Sequence, residues 1–230
     1  MNEKQSGNET SPADFSPTNS RIILIFASGL VFIIIGLALL LLILRMNNSQ
    51  STTSEGESFD GSTRIDPPIT LEDFTLSSQT GDSISLSELR GNVVLMTFGY
   101  TSCPDICPLT LDEFKRIKRN LGDAAEHVNF LFISVDGSRD TPERLTSYFD
   151  LRGIPDLIGM TGPEDEVRRI GREYNLFFEK DTESVTAASY LIAHTGGSFL
   201  IDQQGRWVMR YVFGTDPDLI LNDITDLLGH

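Results

Sequence analysis

Val93-Val-Leu-Met-Thr-Phe98-Gly-Tyr-Thr-Ser-Cys103-Pro-Asp-Ile-Cys107-Pro-Leu-Thr-Leu111 is the stretch on which the reading of this chain turns. Its first six residues form a short, continuous apolar run, the pattern of a strand buried on both faces. Beyond the cysteines, Leu109, Leu111, Phe114, Ile117 and Leu121 recur at helical spacing, with Lys115, Arg116, Lys118 and Arg119 on the solvent side. That predicts an amphipathic helix over Leu109 to Leu121. Both thiols therefore lie where a buried strand passes into a helix N-terminus. Unpaired backbone N–H groups and the helix dipole are expected to stabilise a thiolate there and to lower the cysteine pKa. The i, i+4 spacing puts both sulfurs on one side, so the pair can chelate a soft metal ion, close a disulfide or exchange with a partner's disulfide. The plainer alternative is an inert buried pair or a structural staple, but a bridge over so short a loop removes little chain entropy.

Working outward, Val128-Asn-Phe-Leu-Phe-Ile-Ser-Val135 reads as a second buried strand. Thr141-Pro142-Glu143 then supplies an N-cap, a first-position proline and an early acid for a helix to about Leu151. A strand near Asp156 to Met160 follows, with a helix from Pro163 to about Tyr174. Paired strands Ser189–Ile201 and Trp207–Phe213 are expected around Gln203-Gln204-Gly205, and Thr215-Asp216-Pro217 caps a last helix to Leu228. The β-α-β-α alternation makes the class α/β. Ahead of it, Phe74-Thr-Leu, Thr80-Gly81-Asp82 and Ser83-Ile-Ser-Leu form an N-terminal hairpin extension, so the folded domain is expected to run over 69–230.

The 230 residues are 40% hydrophobic and 22% charged, which suits about one domain plus extras. Lys and Arg number 18 against 33 Asp and Glu, a formal charge of −15 that repels a phosphate backbone, so nucleic acid is set aside as a partner. Two cysteines exclude both a disulfide scaffold and a four-thiolate zinc site.

Ile22 to Leu44 is an apolar run with Arg21 and Arg45 at its ends. At 1.5 Å per residue it spans about 35 Å, enough to cross a hydrocarbon core of about 30 Å with some tilt. It is longer than the apolar region of a signal peptide, and Arg45-Met46-Asn47-Asn48 offers no small-residue cleavage site. It is expected to be a retained transmembrane helix over 22–44, preceded by a cytoplasmic tail over 1–21. Lys4 and Arg21 before the span balance Arg45 and Arg64 after it, so charge alone does not set the topology. The leading segment carries Glu3, Glu9 and Asp14 and is unlike a mitochondrial transit peptide, which favours a bacterial origin. Residues 45–68 are expected to be a flexible linker, in which Asn47 to Pro68, rich in Ser, Thr, Gly and Glu, gives an end-to-end distance of about 26 Å.

Two thiolates leave zinc short of two ligands, whereas copper accepts soft sulfur donors with an imidazole as a third. Of the three histidines, His127 lies in a polar loop beside Glu126 and His230 is the last residue, which leaves His194 in Tyr190-Leu-Ile-Ala-His194-Thr-Gly-Gly-Ser-Phe199. A single histidine on an apolar strand is more often a hydrogen-bonded core residue, and the cysteines alone do not require it.

Phe98 to Leu111, Ser134-Val-Asp136 with Arg139-Asp-Thr-Pro142, and His194-Thr195 together resemble, in order, three signature blocks of the Sco/SenC proteins. These are membrane-anchored, thioredoxin-like copper chaperones for cytochrome c oxidase assembly, and the resemblance covers roughly Pro67 to the C-terminus. It implies a thioredoxin-like fold, with a central mixed sheet flanked by helices and a single N-terminal transmembrane helix. It implies that Cys103, Cys107 and His194 together bind one copper ion, as Cu(I) or Cu(II). The copper-bearing subunit of cytochrome c oxidase is then the expected partner, with another copper chaperone or a thiol reductant as further candidates. The role implied is binding and transfer rather than catalysis, in a domain outside the bacterial cytoplasmic membrane that faces the periplasm or cell exterior. The alternative is a thiol-disulfide oxidoreductase that reduces the oxidase copper-site cysteines, in which His194 is dispensable. A peroxide-reducing enzyme of the same fold is a weaker reading, since no single peroxidatic cysteine with a neighbouring arginine stands out.

Three departures accompany the resemblance. Ala193 stands where relatives often carry an acid, Gly137-Ser138 replaces a commoner Pro-Glu, and Gly196-Gly197 loosens the loop after the histidine. Asp136 and Asp140 are read as turn and cap residues, because hard oxygens suit Cu(I) poorly.

Overall fold

Every residue of the apolar run Val93–Gly99 is buried, and the run forms the central strand of an eight-stranded sheet. The structure, a computed structural model, describes residues 35–42, 60–181, 191–194 and 196–229. It divides into two units, 1–58 and 59–230. In the first, residues 35–42 form helix α1 with exposed side chains. The expected tail over 1–21 and the rest of the expected span over 22–44 lie outside the described residues. Among the described residues, no helix is long and apolar enough to cross a membrane.

The second unit contains β1 (Ser62–Thr70), β2 (Thr75–Ser78), β3 (Ser83–Ser85), β4 (Val93–Gly99), α2 (Ile106–Leu121), β5 (Val128–Ser134), α3 (Pro142–Arg152) and β6 (Ile158–Thr161). It continues through α4 (Glu164–Glu173), β7 (Phe178–Asp181), β8 (Leu191–His194), β9 (Ser198–Ile201), β10 (Arg206–Tyr211) and α5 (Pro217–Leu228). The sheet order is β1-β10-β9-β4-β5-β6-β2-β3. β4, β5 and β6 run parallel through helical crossovers, and the outer pairs are antiparallel, so the sheet is mixed.

Phe130 and Phe132 lie two apart on β5 and so share a face, where Phe114 of α2 and Phe149 of α3 pack on them with ring centroids 5.8 Å apart in each case. On the other face Phe98 meets Tyr174, just past α4, at 5.5 Å. Helices thus cover both faces of the sheet. The cap signals behave as their chemistry dictates. The Thr141 hydroxyl accepts from the Arg144 amide at 3.3 Å and the Asp216 carboxylate from the Asp218 amide at 3.0 Å, each followed by a proline in the first helical turn.

Two boundaries differ from expectation. The linker expected over 45–68 is overrun by β1, which pairs with β10 from Ser62↔Tyr211 to Thr70↔Arg206, so the domain begins before residue 69. An edge strand accepts Pro67 and Pro68 because the register shifts between Arg64 and Ile69 there. The single strand expected over Ser189–Ile201 is two strands. β8 pairs with β7 in a separate ribbon, and β9 pairs with β4 and β10; residues 189–190 lie outside the described residues. The break falls at Gly197, whose φ of +142° suits glycine, and where a Cβ would stand 2.5 Å from the Tyr211 carbonyl oxygen.

Candidate metal centre

The dithiol grows out of the C-terminal end of β4. After Gly99 the chain turns, the Cys103 amide donates to the Tyr100 carbonyl at 3.1 Å, and α2 opens at Ile106, three residues earlier than the apolar spacing predicts. Cys103 therefore precedes the helix and is partly exposed, while Cys107 sits in its first turn, buried. The Cys107 amide donates to the Cys103 sulfur at 3.5 Å, so the i, i+4 spacing does bring the two residues to one side. Gly99 makes room for the inner thiol, since a Cβ there would lie 2.9 Å from the Cys107 sulfur and 2.7 Å from the Phe132 ring.

Helix-end placement is expected to lower both thiol pKa values, and for Cys107 the structure corrects this. Its thiol donates to the Cys103 sulfur, and burial reinforces the effect, so its pKa is pushed up in spite of a Tyr100 backbone contact that works the other way. The Cys107 sulfur thus keeps its proton in the reduced pair, and a metal ion must displace it to bind there.

Asp140 and Asp136 are fully buried, and both serve the loop rather than offering ligands. The Asp140 carboxylate accepts from the Thr101 amide, the Thr101 hydroxyl and the Ser134 hydroxyl at 2.8, 2.6 and 2.7 Å. Arg144 donates to the Thr101 and Ser102 hydroxyls at 2.7 and 3.1 Å. Asp136 pairs with Arg139, whose guanidinium lies 5.9 Å from the centre of the Tyr100 ring. The block Ser134 to Pro142 is therefore a support for the cysteine turn.

The backbone of His194 ends β8, paired with Phe178 of β7; its side chain lies outside the described residues. Two contacts bring this limb to the dithiol. The Tyr100 hydroxyl accepts from the Ile192 amide at 3.2 Å, and Gly196 faces Ile106, the residue before Cys107, with a Cβ there 3.8 Å from the Ile106 methyl. Among the described residues no group of three or more His, Cys, Asp or Glu is placed to hold a metal ion. His127 is exposed and immediately precedes Val128, which pairs with Val93 at the opposite end of β4 from the cysteines, and His230 lies outside the described residues.

Sequence reasoning missed Tyr100 and Arg144. Tyr100 stands within the cysteine segment, but its partner Ile192 is 92 residues away, and nothing local announces that bond.

Residues 62–229 match SCO1/SenC. The chain belongs to the SCO1/SenC family. Within that family it is 32% identical over 149 residues to a SCO2-like protein of Rickettsia felis, covering 65% of this chain and 72% of the relative. The structure of copper-bound ScoI from Bradyrhizobium japonicum superposes with a TM-score of 0.63 at 31% identity, covering 69% of this chain and 99% of that one. Apo Sco1 from Thermus thermophilus gives 0.64 at 34% identity, covering 74% and 97%. The mixed sheet flanked by helices is thus the architecture this SCO1/SenC member shares with its solved relatives.

Proposed function

We propose that this SCO1/SenC member is a copper chaperone that binds one copper ion through Cys103, Cys107 and His194 and delivers it to the copper-bearing subunit of cytochrome c oxidase. The observation that carries the reading is the convergence of two distant segments. Tyr100, three residues before Cys103, bonds the strand that His194 ends, and Gly196 lies against Ile106 between the cysteines. Two thiolates and an imidazole form a soft donor set suited to copper. The copper-bound state of the Bradyrhizobium japonicum relative supports the cargo. Residues 22–44 would anchor the chain in the bacterial cytoplasmic membrane with the domain outside it, where it could reach a membrane-bound oxidase.

Each protein group has a definable task. Cys103, at the rim, offers the sulfur that an incoming acceptor thiolate meets first, and Cys107, beneath it, retains the ion until exchange is complete. Binding both sulfurs as thiolates releases their thiol protons to solvent. Asp140 and Arg144 hold the turn in the geometry that two-sulfur binding needs.

The unequal exposure of the two thiols also favours a second reading, thiol-disulfide exchange. Here the Cys103 thiolate attacks an acceptor disulfide and Cys107 resolves the mixed disulfide, so the acceptor gains two thiols and this pair becomes a disulfide. Copper-loaded protein mixed anaerobically with a reduced, metal-free oxidase copper-site fragment separates the two. The chaperone reading expects copper on the fragment and none with the Cys103→Ser, Cys107→Ser chain. Retention of copper, with reduction of a disulfide-bonded fragment by the metal-free chain, would overturn it in favour of exchange.

A further inference from the structure

Tyr100 is buried, with 2% of its surface exposed, and it touches both limbs of the candidate centre. Its carbonyl accepts from the Cys103 amide at 3.1 Å, while its hydroxyl accepts from the Ile192 amide at 3.2 Å. β8 belongs to the two-stranded β7–β8 ribbon rather than to the main sheet, and such a ribbon has little stability of its own. β7 is tied down by α4, through the Glu164–Lys180 pair at 2.6 Å and the bond from Arg168 to the Phe178 carbonyl at 2.8 Å. Among the described residues, β8 is held by its pairing with β7, by the buried Ile192 side chain and by the Tyr100 hydroxyl, which is its polar tie to the cysteine segment. The tyrosine ring is itself held, with the Arg139 guanidinium over it and Asp136 pairing with that guanidinium.

We propose that Tyr100 is a positioning residue: by accepting the Ile192 amide proton it holds β8, and with it His194, beside the Cys103–Cys107 pair. The inference rests on the copper reading above, in which His194 is the third ligand. It gives the pair of buried Asp136 and partly exposed Arg139 a task as well, since that pair fixes the ring whose hydroxyl does the holding. Tyr100→Phe keeps the ring and removes the hydroxyl that accepts the Ile192 amide. His194 sits two residues beyond Ile192 and pairs with Phe178 of β7, so releasing the amide leaves the strand end held by the ribbon pairing alone on its polar side.

The test is a double-mutant cycle in the full-length chain, with Cu(I) affinity measured by competition with a chelator and Cu(II) coordination by electron paramagnetic resonance. Tyr100→Phe and His194→Ala are each expected to weaken binding by about tenfold or more, with no further loss when combined. Tyr100→Phe should also weaken the imidazole nitrogen splitting while leaving the dithiol reduction potential unchanged, which a general loss of structure would not do. Wild-type affinity and splitting in Tyr100→Phe, or losses that multiply in the double variant, would overturn the proposal. If the wild type binds no copper, the copper reading fails by itself and exchange of the Ile192 amide decides the positioning claim. Faster exchange in Tyr100→Phe than in wild type sustains it, and equal exchange overturns it.

Discussion

The fully buried Asp140 carboxylate accepts both the amide proton and the hydroxyl proton of Thr101, at 2.8 and 2.6 Å, two residues before Cys103. The cysteine turn is thereby fastened to the loop after β5, and the third acceptor contact, from Ser134, fixes the carboxylate to the end of that strand. Removing the carboxylate takes the acceptor from three donors at once, the buried Ser134 hydroxyl and the partly buried amide and hydroxyl of Thr101. Asp140→Ala should lower unfolding stability by about 3 kcal/mol in urea titration, and Asp140→Asn by less, because one acceptor oxygen survives. An unchanged midpoint in Asp140→Ala would show that the turn is held by other means.

Gly137 approaches the Gly162 backbone so closely that a Cβ would stand 2.0 Å from the Gly162 carbonyl oxygen. The obstacle is main chain and cannot rotate away, which accounts for glycine where the family resemblance leads one to expect proline. Gly137→Ala should cost about 1–3 kcal/mol, read as a lowered Tm in calorimetry. A Tm equal to wild type would mean that the loops separate freely.

The raised pKa of the Cys107 thiol has two consequences. Cys103 should react with iodoacetamide well before Cys107, which is buried and whose pKa is pushed up by donation to Cys103 and by burial; peptide mapping of partly alkylated protein reads the order. Because copper must displace protons from the thiols, apparent Cu(I) affinity should rise from about pH 6 to about pH 8. A pH-independent affinity would show that no thiol proton is released on binding.

Acid should weaken the tie between α4 and β7. Lys180 and then Arg168 hold the Glu164 carboxyl below its ordinary value of 4.5. A depressed carboxyl stabilises the fold above its unfolded-state pKa, and that contribution disappears as pH falls through the folded-state value. Glu164→Gln should therefore lower Tm at about pH 7 and leave it unchanged at about pH 3. A Tm difference that persists in acid would assign the effect to packing instead of charge. Because the pair is partly solvated, the neutral-pH effect is expected to be modest.

The strand-to-helix junction at Cys103 and Cys107 was legible because burial on both faces and helical periodicity are local signals. So were α3 and α5, where a capping side chain and a proline stand side by side. β1 was not, because Pro67 and Pro68 in a polar, mostly exposed segment read as linker until β10 is there to pair with it. The division of β8 from β9 was hidden too, since Gly196-Gly197 reads as looseness until the Tyr211 carbonyl is seen pressed against Gly197. The raised pKa of Cys107 follows from which sulfur is buried, a fact that spacing does not carry. Asp136 and Asp140 were legible as structural groups from the mismatch between hard oxygen and Cu(I), and their burial agrees with that role.

The central claim is that Cys103, Cys107 and His194 hold one copper ion. Anaerobic Cu(I) titration of the reduced full-length chain against a competing chelator, repeated with His194→Ala, tests it most directly. The account predicts one copper per chain, with affinity at least about tenfold lower in His194→Ala. No competitive binding by the reduced wild type, or a His194→Ala chain that binds as tightly as wild type, would contradict it.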